Sequence, residues 1–130
     1  MFQKELAERI IGKFPSKKYG RLSIISSFRF KIMNKFYISP NCFSPKPKVD
    51  SMIIHFQPIN NSEYNIKKIS NLEKITNILF SNKRKMINKN IKKILSQKKI
   101  NKISNLQINL RPSDLSPDTY YKITESFEAD

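Results

Sequence analysis

Hydrophobic positions along this chain keep a helical period, drop to a period of two, then return to helical spacing. Leu6, Ile10 and Ile11 predict a helix over residues 4–11 with those side chains inward and Gly12 as its stop. Residues 12–20 are rich in Gly, Pro, Ser and Lys and read as a loop. Leu22, Ile25 and Phe28 predict a second helix over 21–29. Residues 32–38 then predict a strand. Over 51–57, Met52, Ile54 and Phe56 alternate with Ile53, His55 and Gln57, which predicts another. The run Pro58-Ile59-Asn60-Asn61-Ser62 breaks the pattern and divides the chain into 1–59 and 60–130. Beyond it the spacing is helical throughout. Ser70-Asn71-Leu72-Glu73 has the form of a capping box with Ser70 as N-cap, followed by an apolar stripe of Leu72, Ile75, Ile78 and Leu79. A helix over about 83–98 would put Ile87, Ile91, Ile94 and Leu95 on one face and Lys85, Lys89, Lys92 and Lys93 on the other. Ser116 as N-cap, Pro117 at the first helical position and Asp118 in the first turn open a last helix. Leu115 and Tyr120 have staple spacing, and Tyr120, Ile123 and Phe127 form the buried stripe.

Charge adds what periodicity does not contain. The net charge is +15, and it is segregated. From Arg9 to Val49 there are ten basic residues and no acid; from Lys74 to Ser113 there are eleven and again no acid. A merely solvated face mixes signs, so two long single-sign stretches point to a polyanion. RNA or DNA fits better than a membrane surface, because the cations do not flank a strongly apolar, aromatic helix face. No apolar run reaches membrane-spanning length, and the start lacks the apolar core of a signal peptide. Cys42 is the single cysteine, which excludes an internal disulfide and fits a reducing, cytoplasmic compartment. His55 is the only histidine and has no Cys, Asp or Glu at ligand spacing, so no metal site is expected.

The segment Phe43-Ser44-Pro45-Lys46-Pro47-Lys48-Val49-Asp50-Ser51 is the most specific signal. Its alternate prolines each fix φ and push the preceding residue out of the helical region, which makes a stiff extended strap. The string resembles the motif after the sixth strand of the KsgA/RsmA-type dimethyltransferases, which methylate adenines of small-subunit ribosomal RNA. Four further segments are similar to that family in the same order: MFQKELAERI at the start, Ser16-Lys17-Lys18-Tyr19-Gly20-Arg21-Leu22-Ser23, Leu79-Phe80-Ser81-Asn82-Lys83-Arg84-Lys85, and Arg111-Pro112-Ser113-Asp114-Leu115-Ser116. The departures are Phe14-Pro15 for a Gly-containing pair and Asn82-Lys83 for Gln-Arg.

The resemblance implies a fold: the C-terminal part of a Rossmann-like methyltransferase sheet in 1–59, then a small helical RNA-docking domain in 60–130, an α/β plus α arrangement. It implies a reaction: S-adenosylmethionine supplies methyl groups to two adjacent adenines near the 3′ end of small-subunit rRNA, on the immature small subunit, with the enzyme as a monomer. It also implies a cofactor half carrying a Gly-rich turn and an Asn-Leu-Pro-Tyr motif. This chain has neither; its two glycines, Gly12 and Gly20, lie in no GxGxxG pattern. Met1 aligns with an interior methionine of the family, so the chain is expected to be a C-terminal fragment, inactive alone and without a cofactor site.

Methylating adenine N6 needs a base taken out of its stack, and a flipped base needs an aromatic platform. The resemblance assigns that role to Phe43; by spacing alone Phe43 could equally be a core residue. Lys46 and Lys48 would then contact the RNA backbone, which positions without reading sequence. Asp50 is expected to bond the strand start and not to act as a base. Lys83, Arg84, Lys85, Lys89, Lys92 and Lys93 are the main candidate RNA contacts, since a merely solvated lysine face would gain from Glu at i−4. Lys17, Lys18, Tyr19 and Arg21 form a second candidate group. Two alternatives stand beside this reading: a non-catalytic RNA-binding module, and the related resistance methyltransferases of large-subunit rRNA.

Overall fold

A computed structural model describes the chain from Met1 to Ala129 with the exception of Phe43, Lys46, Pro47, Val49 and Asn61. Two compact units divide at Asn61 and Ser62.

The first unit, Met1–Asn61, contains β1 (Phe2–Gln3), α1 (Lys4–Ile10), α2 (Arg21–Arg29), β2 (Phe30–Ile38) and β3 (Ser51–Pro58). Its antiparallel sheet has the order β1-β3-β2. β3 pairs with β2 from Ser51 opposite Ile38 to Pro58 opposite Phe30, with a bulge between Ile32 and Asn34. On its other side β1 contributes two residues, Phe2 opposite Met52 and Gln3 opposite Ser51. A two-residue strand is too short to show a period, and the sequence reading has no place for it. β3 alternates as expected: Met52 is fully buried and Ile54 and Phe56 half-buried, while Ile53, His55 and Gln57 are exposed. Phe2 and Phe30 both meet the Phe56 ring, at centroid distances of 6.3 and 5.3 Å.

The inward faces of the two helices differ from expectation. In α1 the buried residue is Ala7, and Leu6 is 42% exposed. In α2, Ile24 and Phe28 are buried at i, i+4 and Leu22 is 43% exposed. Helices of about two turns hold only two or three core positions, so contact with the neighbouring helix and the sheet decides the face and a stripe does not. Ala7 suits α1 because a small side chain lets the helix lie close against β3. Gly12 does more than stop α1. A Cβ there would sit 2.5 Å from the carbonyl oxygen of Lys18, so only glycine allows the 12–20 loop to fold back on itself.

The second unit, Ser62–Asp130, contains α3 (Ile69–Leu79), α4 (Asn88–Ile94), α5 (Gln97–Lys102) and α6 (Pro117–Glu128), with 3-10 turns at Phe80–Asn82 and Pro112–Asp114. Leu72, Ile75, Leu79, Ile87, Ile91 and Ile123 form its centre, each at most 1% exposed. Full burial of one such side chain contributes about 1.5–3 kcal/mol. α6 begins as its sequence predicts: the Ser116 hydroxyl accepts from the Thr119 amide at 3.4 Å, and Leu115 and Tyr120 are both buried. The Tyr120 ring stacks on Phe80 at 5.6 Å, and its hydroxyl donates to the Pro112 carbonyl.

Two helical expectations fail. The helix predicted over 83–98 is broken. Lys83, Arg84, Lys85 and Met86 lie in turn and irregular backbone before α4, and the chain turns extended at Leu95 before α5. Ser96 caps α5, accepting from the Lys99 amide at 3.3 Å, and this N-cap interrupts an otherwise unbroken apolar period. Ser70 does not cap α3 either. The cap residue is Lys68, which makes no side-chain cap bond. The Glu128 carboxylate, from the far end of α6, does so instead. It accepts from the Lys67 amide at 2.7 Å, the Lys68 amide at 3.0 Å and Asn71 Nδ2 at 2.6 Å.

Partial burial alone would raise the Glu128 pKa. The bonds from Asn71, Lys67 and Lys68 and the nearby Lys67 charge outweigh it and hold the carboxyl below the usual glutamate range. A lowered folded-state pKa means the stability is fully present above the unfolded value and is lost as pH falls through the folded one. Glu128→Ala is expected to cost about 1–2 kcal/mol near neutral pH, the scale of a lost helix cap. The difference in melting temperature between wild type and variant should shrink on acidification below roughly pH 4. Thermal melts at pH 7 and pH 3 measure both; an equal difference at the two values would reject the carboxylate clamp.

Candidate nucleic-acid interface

Candidate contacts in the first unit narrow to cations. Lys17 and Lys18 are exposed on the 12–20 loop, and Lys18 Nζ lies 3.5 Å from Glu8 Oε2. Arg21 is exposed in the first turn of α2. Tyr19 leaves the candidate surface: it is 6% exposed, and Phe14 packs against its ring at 5.1 Å. Aromatic residues in basic loops serve either stacking on bases or local packing, and here the loop needed its own small core.

The strap lies between β2 and β3. A 3-10 turn at Pro40–Cys42 leads into it, and the Cys42 thiol is exposed. Phe43 and Lys46, the proposed platform and one of its two lysines, lie outside the described residues. Lys48 is exposed and shares with Gln3, Lys4, Glu5 and Asp50 the lining of a cavity of about 340 Å³. The Asp50 carbonyl accepts the Lys4 amide at 2.9 Å, so the end of the strap is bonded to the start of α1. His55 is exposed on β3, across from Asn34.

The larger feature is in the second unit. The turn after Phe80–Asn82 and the start of α4 face the segment before the Pro112 turn. The Ile87 amide donates to the Leu110 carbonyl at 2.9 Å and ties the two together. Between them opens a cavity of about 760 Å³. Arg84, Lys85, Lys89, Lys93 and Arg111 bring five cationic side chains to its lining, with no carboxylate among the lining residues. Lys89 and Lys93 stand one helical turn apart on α4 and point the same way. Lys83 and Lys92 are exposed but do not line the cavity. The expected lysine stripe is therefore split: the break at Met86 carries Arg84 and Lys85 into the cavity, and Lys92 falls to its side. Arg111 is a lining residue that the sequence reading did not select as a contact. The available signal was its position, the last cation of the second acid-free stretch, directly before a Pro-initiated turn.

Among the described residues, no three metal-ligating side chains cluster and no helix is long and apolar enough to cross a membrane.

Comparison with known proteins bears on the whole chain. A protein named Ribosomal RNA small subunit methyltransferase A from Pelagibacter ubique is 43% identical over 129 residues, covering 98% of this chain and 49% of that protein. One of the same name from Buchnera aphidicola is 39% identical over 123 residues, 95% of this chain and 45% of that protein. The chain thus spans about half the length of the curated relatives it matches. A crystal structure of a dimethyladenosine transferase from Plasmodium falciparum superposes with a TM-score of 0.73 at 24% identity, covering 94% of this chain and 53% of that one. The 23S rRNA methyltransferase ErmE superposes less well, with a TM-score of 0.62 at 16% identity. Both likenesses establish the fold, that of part of an rRNA methyltransferase. The profile described as Ribosomal RNA adenine dimethylase matches residues 1–129, and the chain belongs to that family.

Proposed function

We propose that this chain is the RNA-docking and base-presenting part of an rRNA (adenine-N6)-dimethyltransferase that modifies two adjacent adenines near the 3′ end of small-subunit rRNA during subunit assembly in the cytoplasm. The observation that carries the reading is the carboxylate-free cavity of Arg84, Lys85, Lys89, Lys93 and Arg111 on a chain of net charge +15. Such a concentration of like charge is unfavourable unless an anion neutralises it, and phosphates release counterions on doing so. On this reading residues 62–130 dock the RNA, while the strap of residues 43–51 meets the target base.

Enzymes of this family use S-adenosylmethionine. The described residues do not fit that group. Gly12 is closed off by the Lys18 backbone, and Gly20 opens α2 by bonding to Ser23; neither belongs to a Gly-rich turn. The polar cavity beside the strap offers two lysines and two carboxylates but no apolar slot for an adenine ring. What the chain's own residues contribute is the placement of RNA.

The test joins residues 1–130 to the cofactor-binding half of the Pelagibacter ubique relative. The chimera should transfer methyl groups from S-adenosylmethionine to unmethylated small subunits, and the 130-residue chain alone should neither do so nor bind the cofactor in calorimetry. Micromolar cofactor binding by the chain alone would contradict the assignment. RNA binding without any methyl transfer by the chimera would favour a non-catalytic RNA-binding module.

A further inference from the structure

Among the described residues of the second unit, one large apolar side chain is exposed: Met86, at 48%. It is not scattered on the surface. It lines the cationic cavity next to Lys85, together with Arg84, Lys89 and Arg111. A site that bound only a phosphate would gain nothing from a thioether in its lining, because an anion is best served by donors and water. The remaining lining supplies amides. Asn90, a lining residue, donates through Nδ2 to the Ser81 hydroxyl at 3.3 Å, which leaves its side-chain carbonyl oxygen as an acceptor. Asn88 Oδ1 accepts the Lys89 amide at 2.9 Å, which leaves the Asn88 amide nitrogen as a donor. Cations for phosphate, a polarisable apolar surface for a ring face, and a donor and acceptor for a base edge are together the chemistry of a whole nucleotide. The volume of about 760 Å³ falls in the range of roughly 300–1,000 Å³ found for ligand sites.

We infer that this cavity receives one unstacked ribonucleotide of the bound RNA: its base lies against Met86 with its edge at Asn88 and Asn90, and its phosphate is held by Arg111 and the α4 lysines. The inference rests on the RNA-docking reading and adds a base-binding element to it, at a site separate in sequence from the strap. It gives the helical unit a means to prefer single-stranded or bulged RNA over a regular duplex, whose bases are not available to such a pocket.

The test uses the full chain and short single-stranded oligoribonucleotides in two forms, one normal and one with every base removed, so that the phosphate charge is the same. Fluorescence anisotropy gives the affinity of each. The abasic form should bind about fivefold to tenfold more weakly, the loss expected for one base–side-chain contact, with an unchanged salt slope. Met86→Ala should lower affinity for the normal oligonucleotide by a similar factor and leave the abasic one unaffected. Met86 is half exposed, so this substitution leaves the core intact, and circular dichroism confirms the fold. Equal binding of the two forms with a normal salt slope would overturn the nucleotide pocket and leave the docking reading standing. Absence of salt-dependent binding to either form would overturn both.

Discussion

Replacing Lys85, Lys89 and Lys93 together by glutamine is expected to flatten the salt dependence of RNA binding by about 2 to 3 in the slope of log K against log salt. Each phosphate contact releases counterions worth roughly 0.7 in slope on single strands and 0.9 on duplex. The three lysines line one cavity, so they would act on neighbouring phosphates of the same RNA segment. All three are exposed, while Ile87 and Ile91 beneath them are buried, so the change removes charge without opening the core. Lys83→Gln with Lys92→Gln is the matched control. It removes two charges from the same stretch outside the cavity and should change the slope much less. Preference among RNA sequences should survive the triple change to the extent that it comes from bases, because phosphate contacts position the RNA and carry no sequence information. A triple variant indistinguishable from wild type would move the docking surface elsewhere, with Lys17, Lys18 and Arg21 the next candidates.

What could be foreseen in this chain was local. β3 followed from period-two alternation over 51–57, and the start of α6 followed from Ser116-Pro117-Asp118, each a matter of residues close in sequence; the pairing of β3 with β2 was expected from the resemblance. What could not be foreseen was set by distance. Ser70 and Glu73 have the spacing of a capping box, yet Glu128, 60 residues beyond Lys68, takes the backbone amides that start α3. A local signal loses when a remote carboxylate can reach several donors at once. Gly12 looked like a helix stop, but its necessity lies in the approach of Lys18, which no pairwise spacing reveals. The Ile- and Lys-rich period over 83–98 hid two breaks, the second because period alone does not register a serine that caps a new helix. The candidate site was accordingly legible as a set of cations and illegible as a shape. Arg111 joins the cavity beside a backbone bond from Ile87 to Leu110 across a loop, a long-range contact that spacing does not reveal. Tyr19 leaves the candidate surface because it is buried, with Phe14 among the residues against its ring. Burial of the two units is also uneven. The first unit exposes Phe30, Met33, Phe36, Tyr37 and Ile53 along its sheet, each at least 40%, whereas the second exposes only Met86 to that degree among the described residues.

In the chimera that carries a cofactor half, Phe43→Ala is expected to reduce methyl transfer by about fivefold to 150-fold. That range corresponds to the roughly 1–3 kcal/mol that one base–aromatic stack contributes. On the proposed reading RNA affinity should change by much less, because the cations of the helical unit would dock the RNA before the flipped adenine is captured. The expectation rests on the strap's sequence, a phenylalanine followed by prolines at alternate positions, which resembles the family's base-binding segment; the turn at Pro40–Cys42 leads into it. The described neighbours Cys42, Ser44 and Pro45 are exposed. Phe43→Tyr keeps a ring and should retain most of the activity, which separates loss of stacking from loss of packing. A core role would give a different pattern: Phe43→Ala would lower the melting temperature and weaken every function in proportion, and a chilled assay would restore turnover. Loss of turnover with unchanged melting and unchanged RNA affinity is the outcome that assigns the ring to the target base.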